Sequence, residues 1–237
     1  MDILHTLVSH CPWLPPSRRI SALAASWQWR PNAKFIDRMK QRSMLHQETL
    51  SLLDHFARRA EHGIVEIGTY VGGATAVMAK ALKETGSTVP MISIEPGGAH
   101  NHPQLPSNDF LRDLKATLAS EGVSDRVQII ENRSRAPETL GAVRAALSGR
   151  KIDMFVIDAD GWVGKDVAHY EPLLCDGAII VLDDYHCEGV NVKENLVRNW
   201  VDGAVAEGLL RELGVFKWGT WFGTYCQRHT LRDRTDN

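Results

Sequence analysis

The sequence predicts an α/β protein built on a doubly wound, mostly parallel sheet of seven strands, closed by a C-terminal antiparallel hairpin. Two observations carry this. From residue 43 onward, short apolar runs alternate with segments of helical periodicity, the pattern of strand–helix–strand units and a parallel sheet. Glycines or paired carboxylates follow these runs, and in open α/β sheets ligands bind just beyond the carboxyl ends of the strands.

The elements follow in order. Leu45, Leu52, Leu53, Phe56 and Ala60 share one face at helical spacing, and Gly63 is a plausible stop. Ile64-Val65-Glu66-Ile67 reads as a buried strand, followed by a glycine-bearing turn and a helix from Ala74 to Leu82. Met91 to Ile94 is the second strand, and 97–107 a loop rich in Gly, His and Pro. Phe110 to Leu118 is helical, Val127 to Ile130 a strand, and Pro137 to Leu147 a helix that begins on its proline. Ile152 to Ile157 is the fourth strand, 165–174 a helix and Ala178 to Leu182 the fifth strand. A helix over roughly 192–208 precedes two strand-like runs between Leu209 and Cys226, which meet around Lys217-Trp218-Gly219 as a hairpin.

Residues 1–40 differ from this domain of 41–237. They hold Pro12, Pro15, Pro16 and Pro31, which oppose a long regular helix, and Trp13, Trp27 and Trp29, which oppose a free tail. An arm that packs on the main domain, on a partner subunit or over a substrate is expected, so a homo-oligomer is one of the readings.

Composition narrows the function. Of 237 residues, 43% are hydrophobic and 24% charged, which suits an ordinary globular core. Lys and Arg total 27 against 29 Asp and Glu, so no basic excess points to nucleic acid. No apolar run reaches the length of a membrane span, and the first residues do not resemble a secretory signal. Four scattered cysteines with no C-x-x-C pair fit a reducing, cytoplasmic setting. A small-molecule substrate is the expected partner.

The residues after the strands carry the chemistry. Glu66-Ile67-Gly68-Thr69-Tyr70-Val71-Gly72-Gly73 allows close backbone approach to a ligand, but Tyr70 takes the middle glycine position of a dinucleotide fingerprint. Glu95, after the second strand, can take both hydroxyls of a ribose. Asp158 and Asp160 follow the fourth strand, and Asp183 and Asp184 the fifth. Neighbouring strands lie roughly 5 Å apart, so these carboxylates converge and repel one another unless a proton or cation intervenes. Oxygen donors without cysteines suit Mg²⁺ or Ca²⁺; the alternative is a helix cap and a solvated acid. His100 and His102 sit in a Pro/Gly loop with no third ligand and read as solvated.

Together, Glu66 to Gly72, Glu95, Val156-Ile157-Asp158-Ala159-Asp160 and Leu182-Asp183-Asp184-Tyr185 resemble the class I S-adenosylmethionine-dependent methyltransferases. The glycine motif is similar to that of small-molecule O-methyltransferases of the catechol and caffeoyl-CoA type. The acid motifs are closer to the metal-dependent sugar O-methyltransferases of antibiotic pathways. The resemblance spans about 43–226 and implies the Rossmann-like methyltransferase fold with S-adenosylmethionine as cofactor.

Carried over by residue, it implies that Gly68 and Gly72 line the methionine part of the cofactor above Glu66. Glu95 holds the ribose, and Ser134 lies along the adenine edge. Thr69, Tyr70 and Asp158 are counted among the cofactor contacts. Asp158, Asp183 and Asp184 become metal ligands. The last ligand of the catechol type would be Asn where Tyr185 stands, and its lysine base would fall at Gly161, so that base is absent. Asp160, matching a base of similar sugar enzymes, and His186, with its near-neutral pKa, are the candidate bases. Trp162, Tyr185 and the arm tryptophans could wall an aromatic or sugar ring.

The expected chemistry is methyl transfer from a sulfonium to a hydroxyl, on a vicinal diol, a catechol or a polyketide hydroxyl, assisted by a divalent metal. Two other classes share such a sheet. One is an NAD-dependent oxidoreductase. The other is a metal-independent or non-catalytic protein that keeps the methyltransferase fold.

Overall fold

A computed structural model describes residues 15–185 and 192–227. Residues 16–40 form two short helices, α1 (Pro16–Ala25) and α2 (Ala33–Lys40). The domain continues with α3 (Gln47–Ala57), β1 (Ile64–Ile67), α4 (Gly73–Glu84), β2 (Met91–Ile94), α5 (Phe110–Ser120) and β3 (Gln128–Ile130). After these come α6 (Pro137–Leu147), β4 (Ile152–Ile157), α7 (Val163–Tyr170), β5 (Leu174–Leu182), α8 (Val192–Ala206), β6 (Leu210–Phe216) and β7 (Thr220–Tyr225).

The seven strands make one sheet in the order β3-β2-β1-β4-β5-β7-β6. The first five are mutually parallel, while β7 pairs antiparallel with both β5 and β6. The chain therefore reverses its winding between β1 and β4, and the switch point lies at their carboxyl ends.

Strands buried on both faces read as continuous apolar runs, and every residue of β1 and β2 is buried. Alternate side chains serve the two faces. Ile64, Met154 and Val156 join the layer of α1 to α5; Val65, Ile67, Phe155 and Ile157 join the layer of α6 to α8.

The structure details the arm and moves one expected boundary. The arm is helical from Pro16, and its Ile20, Leu23, Ala24, Phe35, Ile36 and Met39 are buried in the first layer. Prolines at 15 and 16 do not prevent this, because the first turn of a helix has no intrahelical use for their missing N–H. Trp27 packs against this layer, whereas Trp29 is 67% exposed. The helix expected over 165–174 ends at Tyr170, before Pro172, and β5 starts at Leu174 rather than Ala178. A register irregularity between β4 and β5 near Ile152 accompanies the early start.

Register fixes the site. Ile67 lies opposite both Ile94 and Ile157, and Ile157 opposite Leu182. The next residue on each strand is Gly68, Glu95, Asp158 and Asp183, so these four stand level on adjacent strand ends. The ladder continues through them: the amides of Gly68, Asp158 and Asp183 donate to Ile94, Ile67 and Ile157 at 3.1, 2.9 and 3.1 Å.

Candidate active site

A cavity of about 860 Å³ opens over the switch point. Gly68, Tyr70 and Glu95 line one part, Ser134 and Arg135 a second, and Asp158, Asp160, Asp183 and Asp184 a third. A smaller pocket adjoins it and brings in Glu66 and Thr69. Gly72 lines neither; it caps α4 from beneath.

The glycine turn is dictated by backbone space. Gly68 adopts φ +81°, and a Cβ there would collide with the Asp158 carbonyl oxygen. Gly72, at φ +87°, would meet Leu114 of α5. Tyr70 holds φ +52° without being glycine, a conformation that costs energy and persists only when its surroundings fix it. Here its hydroxyl donates to the Leu105 carbonyl and its ring meets Phe110 edge-on at 4.9 Å. Tyr70 thus ties the 97–107 loop to the turn.

Glu95 is buried and its carboxylate shapes the turn. Oε2 accepts from the amides of Thr69 at 3.0 Å and Tyr70 at 3.3 Å, and Oε1 from the Gly97 amide at 3.0 Å. Oε2 also accepts from Thr69 Oγ1 at 3.3 Å, so three of the four bonds fall on Oε2; of a carboxylate's roughly four acceptor directions, the second one of Oε1 is left for a ribose hydroxyl. Glu95 is therefore part of the framework as well as the lining, which its position on a loop did not indicate.

Glu66 is 1% exposed and accepts from Thr75 Oγ1 at 2.7 Å and Ser93 Oγ at 3.0 Å. Burial pushes its carboxyl up to about 7, beyond what these two hydroxyls offset, and the charges of Asp158 and Glu95 push the same way.

Ser134 and Arg135 are held by α7. Ser134 Oγ donates to Asp166 at 2.6 Å, and Arg135 donates to Asp166 at 2.7 Å and to Asp160 at 2.5 Å. Asp166 is fully buried, and Tyr170 Oη donates to the Ser134 carbonyl at 2.7 Å. Sequence reasoning missed Asp166 and Arg135, whose pairing spans 31 positions. Burial raises the Asp160 carboxyl, but the hydrogen bond and charge of Arg135 outweigh it and hold the group below the usual range. Asp160 also accepts from the Trp162 amide at 3.1 Å. A carboxylate so engaged takes up protons weakly at neutral pH. The other candidate base, His186, lies outside the described residues.

Asp158, Asp183 and Asp184 each offer an oxygen within 4.8 Å of the others, the only such metal-ligating group among the described residues. Burial first, and then the neighbouring carboxylates, raise Asp183 well above its ordinary value; burial also raises Asp158. Thr220 Oγ1 donates to Asp183 at 2.7 Å. Asp184 adopts φ +60°, which turns it toward the rim. Lys193, which the sequence did not single out, places its Nζ 3.3 Å from Asp158 Oδ1 and pairs with Asp184.

The expected ring wall differs. Trp162 and Tyr185 do not line the cavity; Lys165 sits over the Trp162 ring, and Tyr185 Oη donates to Asp202 of α8 at 2.8 Å. Met44, Tyr70 and Phe110 provide the apolar lining instead. His100 and His102 line the cavity mouth, and neither belongs to a metal-ligating group. No helix among the described residues is long and apolar enough to cross a membrane.

Comparison with known proteins bears on this site. A protein from Staphylococcus aureus, named as a candidate caffeoyl-CoA O-methyltransferase, is similar at TM-score 0.61 and 18% identity, over 85% of this chain and 95% of that one. The O-methyltransferase TomG from Streptomyces achromogenes, solved with S-adenosylmethionine, matches at 0.55 and 18%, over 95% and 96%. CalS11, a TDP-rhamnose 3'-O-methyltransferase, matches at 0.56 and 16%, over 94% and 92%. A search of curated sequences finds no match. At such identities the likeness establishes the Rossmann-like methyltransferase fold. The methyltransferase domain family itself matches residues 65–185, from the first strand through the acid rim. The chain belongs to the methyltransferase domain family.

Proposed function

We propose that this protein transfers the methyl group of S-adenosylmethionine to a hydroxyl of a small molecule. One observation carries the reading. The aligned strand ends put a glycine turn braced by Glu95 on one side of the cavity and the acid rim of Asp158, Asp183 and Asp184 on the other. The first arrangement suits a nucleoside with a flexible tail, the second a polar acceptor. That TomG was solved with S-adenosylmethionine supports the same cofactor here.

In the reaction an acceptor oxygen forms a bond to the methyl carbon while the carbon–sulfur bond breaks, and the hydroxyl loses its proton. Holding the three atoms in line supplies much of the rate gain. Glu95 would fix the ribose, Ser134 the adenine edge, and the Gly68 turn would admit the methionine part. Tyr70 and Phe110 exclude water from the cofactor side. The hydroxyl proton goes to a base, with Asp160 and His186 as its candidates, of which His186 lies outside the described residues.

Three oxygen donors within 4.8 Å fit a hard divalent ion by type and spacing. When bound, such an ion would lower the pKa of a coordinated hydroxyl. Asp158, Asp183 and Asp184 would hold it, and a diol, catechol or sugar acceptor would follow. The CalS11 and S. aureus names favour these acceptor classes. A hydride transfer has no task for such a rim, which disfavours an NAD enzyme.

The test is methyl transfer to a panel of catechols and nucleotide-linked sugars, with and without chelator and added Mg²⁺. The reading expects methylated product from at least one diol, with activity lost on chelation and restored by Mg²⁺. Activity that survives exhaustive chelation refutes the metal's part. A folded protein that binds S-adenosylmethionine but methylates no diol supports the non-catalytic alternative.

A further inference from the structure

Lys193 is the second residue of α8 and lies 35 positions from Asp158. Its stem crosses Gly161, which adopts φ +83°. A Cβ at 161 would lie 2.8 Å from Lys193 Cγ and 3.0 Å from its carbonyl oxygen, so only glycine admits this path. The ammonium then reaches Asp158 Oδ1 at 3.3 Å and pairs with Asp184 Oδ2. The lysine and its two partners are each about 30% exposed, so water screens them only in part. Asp184 meets the ammonium from a left-handed backbone, which aspartate tolerates better than most non-glycine residues.

We propose that Lys193 is the resident cation of the three-carboxylate site: its ammonium holds the place between Asp158 and Asp184, and a divalent ion enters only by displacing it. This rests on the reading of the acid rim given under the proposed function. Its basis is charge and space. Two of the three carboxylates that would surround a metal, Asp158 and Asp184, are the ones the ammonium already contacts. Mg²⁺ demands near-octahedral oxygen coordination at about 2.1 Å, which leaves no room for a second cation among the same ligands. A lysine is a compact point charge on a flexible stem, so it can withdraw where a guanidinium fork could not easily do so. Metal loading and the position of the start of α8 are thereby linked.

The experiment measures Mn²⁺ binding by calorimetry and by electron paramagnetic resonance, in the full-length wild type, Lys193→Met and Lys193→Arg. Lys193→Gln serves if the methionine variant fails to fold. Lys193→Met should bind Mn²⁺ at least ten-fold more tightly than wild type, and Mn²⁺ should raise its melting temperature more. Lys193→Arg should stay near wild type or bind more weakly. Equal or weaker Mn²⁺ binding by a folded Lys193→Met or Lys193→Gln overturns the proposal, as does no binding by any variant. S-adenosylmethionine titrated into the same samples separates the two readings. Failure of the wild type to bind it sinks the proposed function, whereas the Mn²⁺ comparison speaks to Lys193 alone.

Discussion

Replacing Glu66 by Gln should remove a pH dependence of stability that the wild type carries. The folded protein holds this carboxyl at about 7, against an ordinary value of 4.5. The folded state therefore binds the proton more tightly than the unfolded chain. Stability contributed by that proton is complete below pH 4.5, declines as pH rises, and is gone above 7. Raising the carboxyl from 4.5 to about 7 corresponds to about 3 kcal/mol in full. Most of it, about 2.5 kcal/mol, falls between pH 5 and 8. Glutamine keeps an oxygen for the hydroxyls of Thr75 and Ser93, so the geometry is preserved while the ionisation is lost. Urea unfolding of both proteins at pH 5 and pH 8 measures the difference. The variant should match the wild type to within about 1 kcal/mol at pH 5 and exceed it by about 2–3 kcal/mol at pH 8. Asp158 and Asp183 titrate in both proteins and cancel. Parallel curves would refute the assignment, since Glu66 would then titrate in the folded protein as it does in the unfolded chain.

Other outcomes follow from the same contacts. Leu23→Ala should destabilise the protein by about 2–4 kcal/mol in urea, because α1 is part of the core; a change under about 0.5 kcal/mol would mean the arm is dispensable. Asp166→Asn should loosen Ser134 and Arg135 together and weaken S-adenosylmethionine binding several-fold by calorimetry, with the acid rim unaffected. Unchanged affinity in that variant would leave Asp166 a purely structural group. Tyr70→Phe should free the 97–107 loop, read as faster amide exchange around Leu105; identical exchange would mean the hydroxyl bond holds nothing.

Most of the sheet was legible because strands buried on two faces leave short, mainly apolar runs, as in Ile64 to Ile67 and Ile152 to Ile157, each broken by one acid. The early start of β5 was not, because Asp176 and Gly177 interrupt its apolar pattern and both are exposed. In the arm the prolines opposed a long regular helix, and two short ones form, the first starting on its own proline. At the site, residues adjacent to strand ends were readable, since register alone brings Gly68, Glu95, Asp158 and Asp183 together. Lys193, Arg135 and Asp166 arrive from helices and loops far along the chain, and their pairing depends on packing that no local pattern encodes. The one sequence trace of Lys193 is Gly161, whose missing side chain makes its path possible. The 97–107 loop read as solvated, and His100 is exposed; that the loop also lines the cavity depends on packing such as the Tyr70 hydroxyl bond to Leu105, which no local pattern encodes.

If the proposed function holds, the switch-point cavity binds S-adenosylmethionine through the turn that Glu95 braces. Calorimetric titration of the wild type and Glu95→Gln with S-adenosylmethionine, and of the wild type with NAD, tests it most directly. Glutamine keeps the size of the side chain but loses the charge-assisted bonds to a ribose, worth roughly 1.5–3 kcal/mol each. The wild type should show one saturable site, a folded Glu95→Gln at least ten-fold weaker binding, and NAD no saturable binding. Equal affinity in the two proteins, or binding of NAD in place of S-adenosylmethionine, would contradict it.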